Sequence, residues 1–484
     1  MSAELIGVLP ELIVAAGGLI LLLLPIRSSR LLGLITLAFL FAAFDRKVFT
    51  YRTGTPFGFF FFGTFLHDPL ANFFQWAIFL SVGLVVLAIV GYAKEELRCR
   101  RELYALLLMI TTGLLFLVGA QHLALVYVGL ELVSLLSYLL TGFLKKESLS
   151  AEGALKYFLF GSLASGAFLY GVSLIYGLTG TMDIPYLSSL SVTWNKAPVL
   201  GTIAILLLMV GLGFKVALVP FHMWAPDAYE GAPTPVAAFL SVGPKLAGFA
   251  LIARIFLEGF SPSLTLWPYA LAFLSFLTMT FGNLVALAQT NVKRLLAYSS
   301  IAHAGTMLIG LAVASPLGLT ATLYYLVAYL LMNMGAFLGV IVVGHASGRE
   351  DLGAFAGLSR REPALAAMIT LSLLSLAGIP PMAGFFAKMW IFGAALKAGS
   401  IWLAIAAAVN SVISLFYYAK IIKAMYLDPV PASLPSVPAA RSLRLALTLC
   451  TVGLVLFGLF PGNLFTFAAN AVPPPLHSKL LPWL

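Results

Sequence analysis

The sequence predicts an all-α polytopic membrane protein of about fourteen transmembrane helices, organised as two inverted five-helix repeats that each contain a broken helix. Three observations predict it. Apolar residues make up 61% of the 484 positions and charged residues only 10%, where a soluble domain has about 45–50% and about 25%. Apolar stretches near twenty residues long, enough to span a bilayer, recur along the whole chain. Two of those stretches, five helices apart, are interrupted by proline and carry a lysine near the break.

Counting by spanning length places helices near 5–24, 29–47, 68–93, 101–119, 122–144, 151–178, 198–229, 234–258, 267–289, 291–313, 316–345, 363–398, 400–426 and 441–465. The start is read as a retained first helix rather than a signal peptide, because Glu4 makes its head acidic and the apolar run from Leu5 to Leu24 reaches spanning length. The second helix is the weakest, since its apolar core from Leu31 to Phe44 is short. Between the second and third helices, GTPFGFFFFGTF combines aromatics with Gly and Pro and suggests a small hairpin at the membrane face. The chain divides into helices one to three (1–100), a first repeat (101–260), a second repeat (261–426) and a last helix with its tail (427–484), and no soluble segment is large enough to fold alone.

The net charge of +10 does not indicate nucleic acid, because the basic residues lie mostly in short loops between apolar spans, where topology accounts for them. Assigning alternate loops to opposite sides leaves Arg46, Lys47, Arg52, Lys196, Arg254, Lys397 and Lys479 on one side and most of the other loop lysines and arginines opposite. The positive-inside rule then puts both termini outside the cytoplasm. Cys99 and Cys450 are the two cysteines and form no CxxC pair, so neither thiolate-bound clusters nor a disulfide framework is expected. No metal site is expected.

Glu11, Glu131, Lys156, Lys215, Lys245 and Lys388 fall inside spans. An ionisable group there is costly and marks a function unless it is paired or snorkels to the surface. Glu11 and Lys156 lie only a few residues inside their helices, so a structural pairing suits Glu11 and competes with a functional role for Lys156. Glu131, Lys215 and Lys245 lie near mid-span and Lys388 in the second half of its span, beyond easy snorkelling. Burial weakens a lysine's hold on its proton, and a nearby carboxylate restores it. Glu131, the one acid near mid-span, is therefore the natural switch for Lys215: together they keep the proton on Lys215, and apart Lys215 passes it to Lys245. His222 and His303 are the other titratable groups placed in or near spans, and a histidine suits proton transfer near neutral pH. A haem held by these two histidines is disfavoured, because there is no second pair and it leaves the lysines without a role.

The two breaks are Pro220 in GLGFKVALVPFHMWAPDAYEGAPTP and Gly378-Ile379-Pro380-Pro381 in LSLLSLAGIPPMAGFFAKMWIF. Proline in a span removes a backbone hydrogen bond that lipid cannot replace. Lys215 comes five residues before Pro220, whereas Lys388 comes seven after Pro381, so the lysine changes sides of the break. Two interrupted helices at an odd offset cross the membrane in opposite directions, as inverted repeats require.

FHMWAPDAYEGAPTPVAAFL with Lys245 beyond it, GIPPMAGFFAKMWIF, LVYVGLELVSLLSYLL and LKYFLFGSLASG together resemble the antiporter-like subunits of respiratory complex I, the proton-pumping NADH–quinone oxidoreductase, over nearly the whole chain. The match is to subunit N: the residue at Lys388 is usually glutamate in subunit M, and subunit L adds a long lateral helix, whereas few residues follow the last span here. The resemblance implies that Glu131 is the acid of a Glu–Lys pair and Lys215 its partner. It implies that Lys245 is the connecting residue and Lys388 the lysine of the exit half-channel, with Lys156, His222 and His303 auxiliary. It also implies a bacterial inner (plasma) membrane, other complex I membrane subunits as partners, and NADH, FMN, iron–sulfur and quinone sites on partner subunits. Consistent with that, no glycine-rich nucleotide turn follows a strand. The rival reading is an Mrp-type cation–proton antiporter subunit. Sodium sites usually need carboxylates or freed carbonyls, and one mid-span acid among several lysines suits protons better. A structural scaffold is the third reading.

Overall fold

The computed structural model describes residues 7–52, 58–92, 101–187, 197–260, 266–430, 437 and 439–473. Its helices follow the expected spans closely. They are α1 (Leu9–Leu23), α2 (Ser29–Arg52), α3 (Pro69–Gly91), α4 (Arg101–Gly119), α5 (Leu123–Thr141), α6 (Ser148–Thr179), α7 (Pro198–Val216), α8 (Trp224–Gly231) and α9 (Thr234–Ile252). Then come α10 (Trp267–Ala288), α11 (Val292–Ala312), α12 (Pro316–Ser347), α13 (Pro363–Ala377), α14 (Ala383–Lys397), α15 (Ile401–Tyr426), α16 (Arg441–Leu459) and α17 (Pro461–Asn470). Among the described residues eleven helices are long and apolar enough to cross a membrane. The shortfall from fourteen has local causes. The described part of the first helix is only 15 residues long, and the span expected at 363–398 is split into two halves of 15 residues each. The second helix runs five residues past its expected end and carries Asp45, Arg46 and Lys47.

The expected hairpin is present as β1 (Gly58–Phe60) paired antiparallel with β2 (Phe65–His67); the preceding residues 53–57 lie outside the described set. A π-helical turn, Ala253–Gly259, continues α9.

The connections sort into two faces. On one, Arg101 reaches the Leu24 carbonyl, Lys293 pairs with Glu350, and the Gly357 amide bonds the Ala424 carbonyl. On the other, the hairpin bridges Ala120, His122 bridges Asp183, and Arg254 pairs with Asp68. The interior is dense. Helix α9 is buried along its whole length, and so is most of α11 and α12, whereas α6 and α15 expose rows of Leu, Ile, Phe and Val. Large apolar residues on the outside of long apolar helices are what a lipid solvent calls for.

Two charges read as loop residues are core. Lys47 is 1% exposed and lies 3.8 Å from Glu11, which is fully buried and also accepts from Gln75. Glu11 therefore has the structural pairing expected of it, supplied by the extension of α2. Arg254 is fully buried, holding Asp68 at 2.6 Å and Glu258 at 3.2 Å. Both residues belonged to the basic-poor side, so moving them out of the loops makes the charge asymmetry between the faces steeper.

Candidate functional site

The site is organised by two helix breaks. Helix α7 ends at Val216 because Ala217 turns left-handed (φ 60°), two residues after Lys215 and three before Pro220, whose ring and missing N–H prevent the helix from continuing. The freed backbone is satisfied internally. The Leu218 amide donates to the Gly213 carbonyl at 2.8 Å and the Trp224 indole to the Phe214 carbonyl at 3.0 Å. Helix α8 then resumes at Trp224. Helix α13 ends in the same way at Gly378 (φ 86°), again three residues before a proline, Pro381.

At both breaks a lysine faces the C-terminal end of the first half-helix. Lys215 is in the last turn of α7. Lys388, although ten residues beyond Gly378 and on α14, folds back so that its ammonium donates to the Ala377 carbonyl at 2.8 Å. The carbonyl end of a helix carries about half a negative charge, which favours a nearby cation. The sequence places the two lysines on opposite sides of their breaks; the tertiary structure puts both at the end of the first half-helix, where Lys388 bonds a terminal carbonyl and Lys215 bonds Ser134. Gly378 is needed twice there. Its φ is one that L residues rarely adopt, and an added Cβ lies 2.7 Å from Lys388 Cδ. Gly378→Ala is expected to displace the Lys388 ammonium from the Ala377 carbonyl and cost about 1–2 kcal/mol locally. Coupled proton transport should fall while assembly persists; wild-type transport in that variant rejects a role for that bond.

Glu131 and Lys215 form no direct ion pair. Lys215 donates to Ser134 at 3.1 Å, Glu131 accepts from the Ser165 hydroxyl, and all four side chains line one cavity of about 20 Å³. That volume holds a single water. The expected pair thus shares one cavity without touching, the base held by Ser134, one turn along α5 from Glu131, and the acid by Ser165. Glu131 is half-buried and Lys215 is buried.

Lys215 packs against the helix that carries Lys245: a Cβ on Gly248, three residues beyond Lys245, lies 3.6 Å from Lys215 Cγ. Lys245 donates to the Ser300 carbonyl at 2.6 Å and its hydroxyl at 2.5 Å, with the Tyr329 ring centroid 6.0 Å away. The neighbouring Ser299 hydroxyl lies 2.5 Å from the Tyr418 hydroxyl, which is 3.0 Å from His303 Nε2, and His303 Nδ1 is 2.8 Å from the Tyr325 hydroxyl. His303 and Lys388 line a further cavity of about 10 Å³ with Asn283, Asn410 and Tyr417. Glu131, Lys215, Lys245, His303 and Lys388 thus lie in a row across α5, α7, α9, α11 and α14, with side-chain packing alone joining Lys215 to α9. Hydroxyls and water in such cavities can pass a proton on, whereas the backbone carbonyls of Ser300 and Ala377 only accept a hydrogen bond from their lysines.

Lys156 and His222 fall outside that row. Lys156 is 39% exposed and pairs with Glu152 at 2.6 Å and Asp227 at 2.8 Å. Arg294 completes the cluster, reaching Asp227 at 2.6 Å and Glu230 at 2.7 Å. These charges tie α8 to α6 and α11. His222 lies in the α7 break, buried edge-on against Phe281 at 4.8 Å.

Ser134, Ser165, Ser300, Tyr325 and Tyr418 were missed by sequence reasoning. Hydroxyls abound in apolar spans, and nothing local distinguishes those facing a distant charge from those bonded to their own helix, as Thr111 is to Leu107.

A transmembrane-family model described as NADH:quinone oxidoreductase/Mrp antiporter matches residues 120–414, a stretch containing every member of the row. The chain belongs to that family. Within this antiporter family, an NADH-quinone oxidoreductase subunit N 2 from Sorangium cellulosum is 41% identical over 489 residues, covering 96% of each chain. A chain from the structure of respiratory complex I from Thermus thermophilus with bound aureothin superposes with a TM-score of 0.80 at 35% identity, covering 95% of this chain and 99% of that one. A chain of the Mrp complex from Dietzia shares the fold, with a TM-score of 0.85 at 24% identity over 99% of both chains.

Proposed function

We propose that this chain is the subunit N type of membrane subunit of an NADH–quinone oxidoreductase. It moves protons along Glu131, Lys215, Lys245, His303 and Lys388 while quinone is reduced elsewhere in the complex. The observation that carries the reading is the row of buried lysines, with hydroxyls, His303 and small polar cavities beside them, through the middle of the helix bundle. The near full-length similarity to subunit N relatives supports the complex over the Mrp alternative, for which the likeness cited is one of fold. A proton arriving near Glu131 is held in the cavity shared with Lys215. Lengthening that separation releases it toward Lys245, and Ser300, Tyr418 and His303 hand it on to Lys388. Lys156 acts as an anchor of α8, and His222 as an auxiliary group in the break.

Residues 101–260 and 261–426 form the two inverted repeats. The matching order of left-handed residue and proline, Ala217 with Pro220 and Gly378 with Pro381, supports this. Residues 1–100 and 427–484 flank the repeats. The chain is a non-redox part of the enzyme, in a bacterial inner membrane, with both termini on the non-cytoplasmic side. Other complex I membrane subunits, antiporter-like ones among them, are its partners. NADH, FMN, iron–sulfur clusters and quinone bind on partner subunits.

The reading predicts that the assembled complex, reconstituted in vesicles, acidifies one compartment on quinone reduction at an equal rate with sodium or potassium as the only alkali cation. A strict sodium requirement would move the chain to the antiporter reading.

A further inference from the structure

A cavity of about 310 Å³ opens on the basic face, between the start of α9, the start of α11 and the end of α12. At its floor the buried Thr234 hydroxyl donates to Glu350 Oε1 at 2.8 Å, and Glu350 is paired with Lys293 at 3.2 Å. Thr234, Ser241 and Lys245 are spaced 7 and 4 residues apart on α9, which puts them on one stripe of a helix. Tyr329, Asn333, Val340 and Gly344 fall on one stripe of α12 in the same way, and Val340 and Gly344 line the cavity. The two stripes face each other. Asn333 Nδ2 donates to the Ser241 hydroxyl at 2.6 Å, the Tyr329 hydroxyl donates to the Ser241 carbonyl at 3.2 Å, and Tyr329 lies beneath the Lys245 ammonium. Asn333 Oδ1 is fully buried and has no protein hydrogen-bond partner. Such an atom is rarely tolerated without water.

We infer that the seam between α9 and α12 is the entry path by which protons from the basic face reach Lys245. The cavity is its vestibule, the Lys293–Glu350–Thr234 cluster its mouth, and Ser241 with Asn333 the relay one turn above the lysine. Only roughly 10 Å separates Thr234 from Ser241. On the two stripes that stretch is occupied by the small residues Ala238 and Ala336, both buried, so the path requires water to enter it transiently. The path loads Lys245 directly, without passing through Glu131 or Lys215. It rests on the proton-transfer role proposed above.

The test uses the intact complex with Cys99 and Cys450 replaced, in vesicles of both orientations. Val340→Cys and Ala238→Cys are probed with a membrane-impermeant thiol reagent. Labelling of both from the basic face only, Ala238→Cys the more slowly, is expected. Failure of Ala238→Cys to label while Val340→Cys labels overturns the path. In parallel, Ser241→Ala and Asn333→Leu are expected to lower protons moved per quinone reduced by about tenfold, with Ser241→Thr retaining transport and all three assembling to wild-type amounts. If Lys245→Ala abolishes transport while Ser241→Ala and Asn333→Leu pump normally, the seam is wrong and the proposed function stands. If Lys245→Ala also pumps normally, both fall.

Discussion

Replacing Lys215 by alanine is expected to reduce coupled proton transport by about a hundredfold or more, with the complex still assembled. Among the described residues Lys215 is the only cationic side chain lining the cavity that it shares with Glu131, and Ser134 holds it in place. Alanine leaves Ser134 and Ser165 facing an acid with nothing to exchange a proton with. The Glu131→Ala variant should show the same loss for the complementary reason. Ser134→Ala should show a smaller one, since water in the cavity of about 20 Å³ can replace a hydroxyl. Proton uptake measured against quinone reduction in vesicles decides it, and wild-type ratios in both Lys215→Ala and Glu131→Ala would refute the switch. A direct acid–base contact would make Ser134 irrelevant, so the Ser134→Ala result separates a pair that communicates through hydroxyls and water from a touching one.

The largest expected effect on stability lies far from the row. Arg254 is fully buried at the end of α9, donating to the Val118 carbonyl at 2.7 Å and to Asp68 and Glu258. Asp68 in turn caps α3 through the Ala71 amide at 2.8 Å, and Glu258 accepts from Gln121 at 2.8 Å. One guanidinium thus ties α3 and α4 to the π-helical end of α9. Arg254→Ala leaves two carboxylates without their cation, a loss of about 3–5 kcal/mol for a buried pair. The complex should assemble poorly and unfold at lower temperature. The double variant Arg254→Met with Asp68→Asn, which keeps a side-chain acceptor at the cap, should recover part of the deficit. Equal thermal stability of Arg254→Ala and wild type would show that the cluster bears no structural weight. Since α9 also carries Lys245, a partly stable variant is expected to transport protons less well than its assembled amount accounts for.

Much of this molecule was legible in its sequence because membrane solvation acts locally. A span must be long and apolar, a proline must break it, and a charge within it must have a reason to be there. Those rules placed most of the observed helices, put both breaks within about three residues of their positions, and singled out Glu131, Lys215, Lys245, Lys388 and His303 from 484 residues. They also drew attention to Lys156, which the fold spends on an ion-pair cluster at the membrane edge. The sequence gives a residue's depth in its own helix, and depth alone does not separate a lysine that can reach a surface carboxylate from one that cannot.

What only the tertiary structure decided is who meets whom. Lys388 bonds the carbonyl of Ala377 across a break, Lys47 reaches Glu11 because α2 runs about two turns further than its apolar core, and Arg254 finds Asp68 at a separation of 186 residues. Helical periodicity fixes which residues share a face, but the partner of a buried charge depends on how helices distant in the chain pack together. For the same reason Ser134 and Ser300 look like any other hydroxyl in an apolar span until the fold sets a lysine beside each of them.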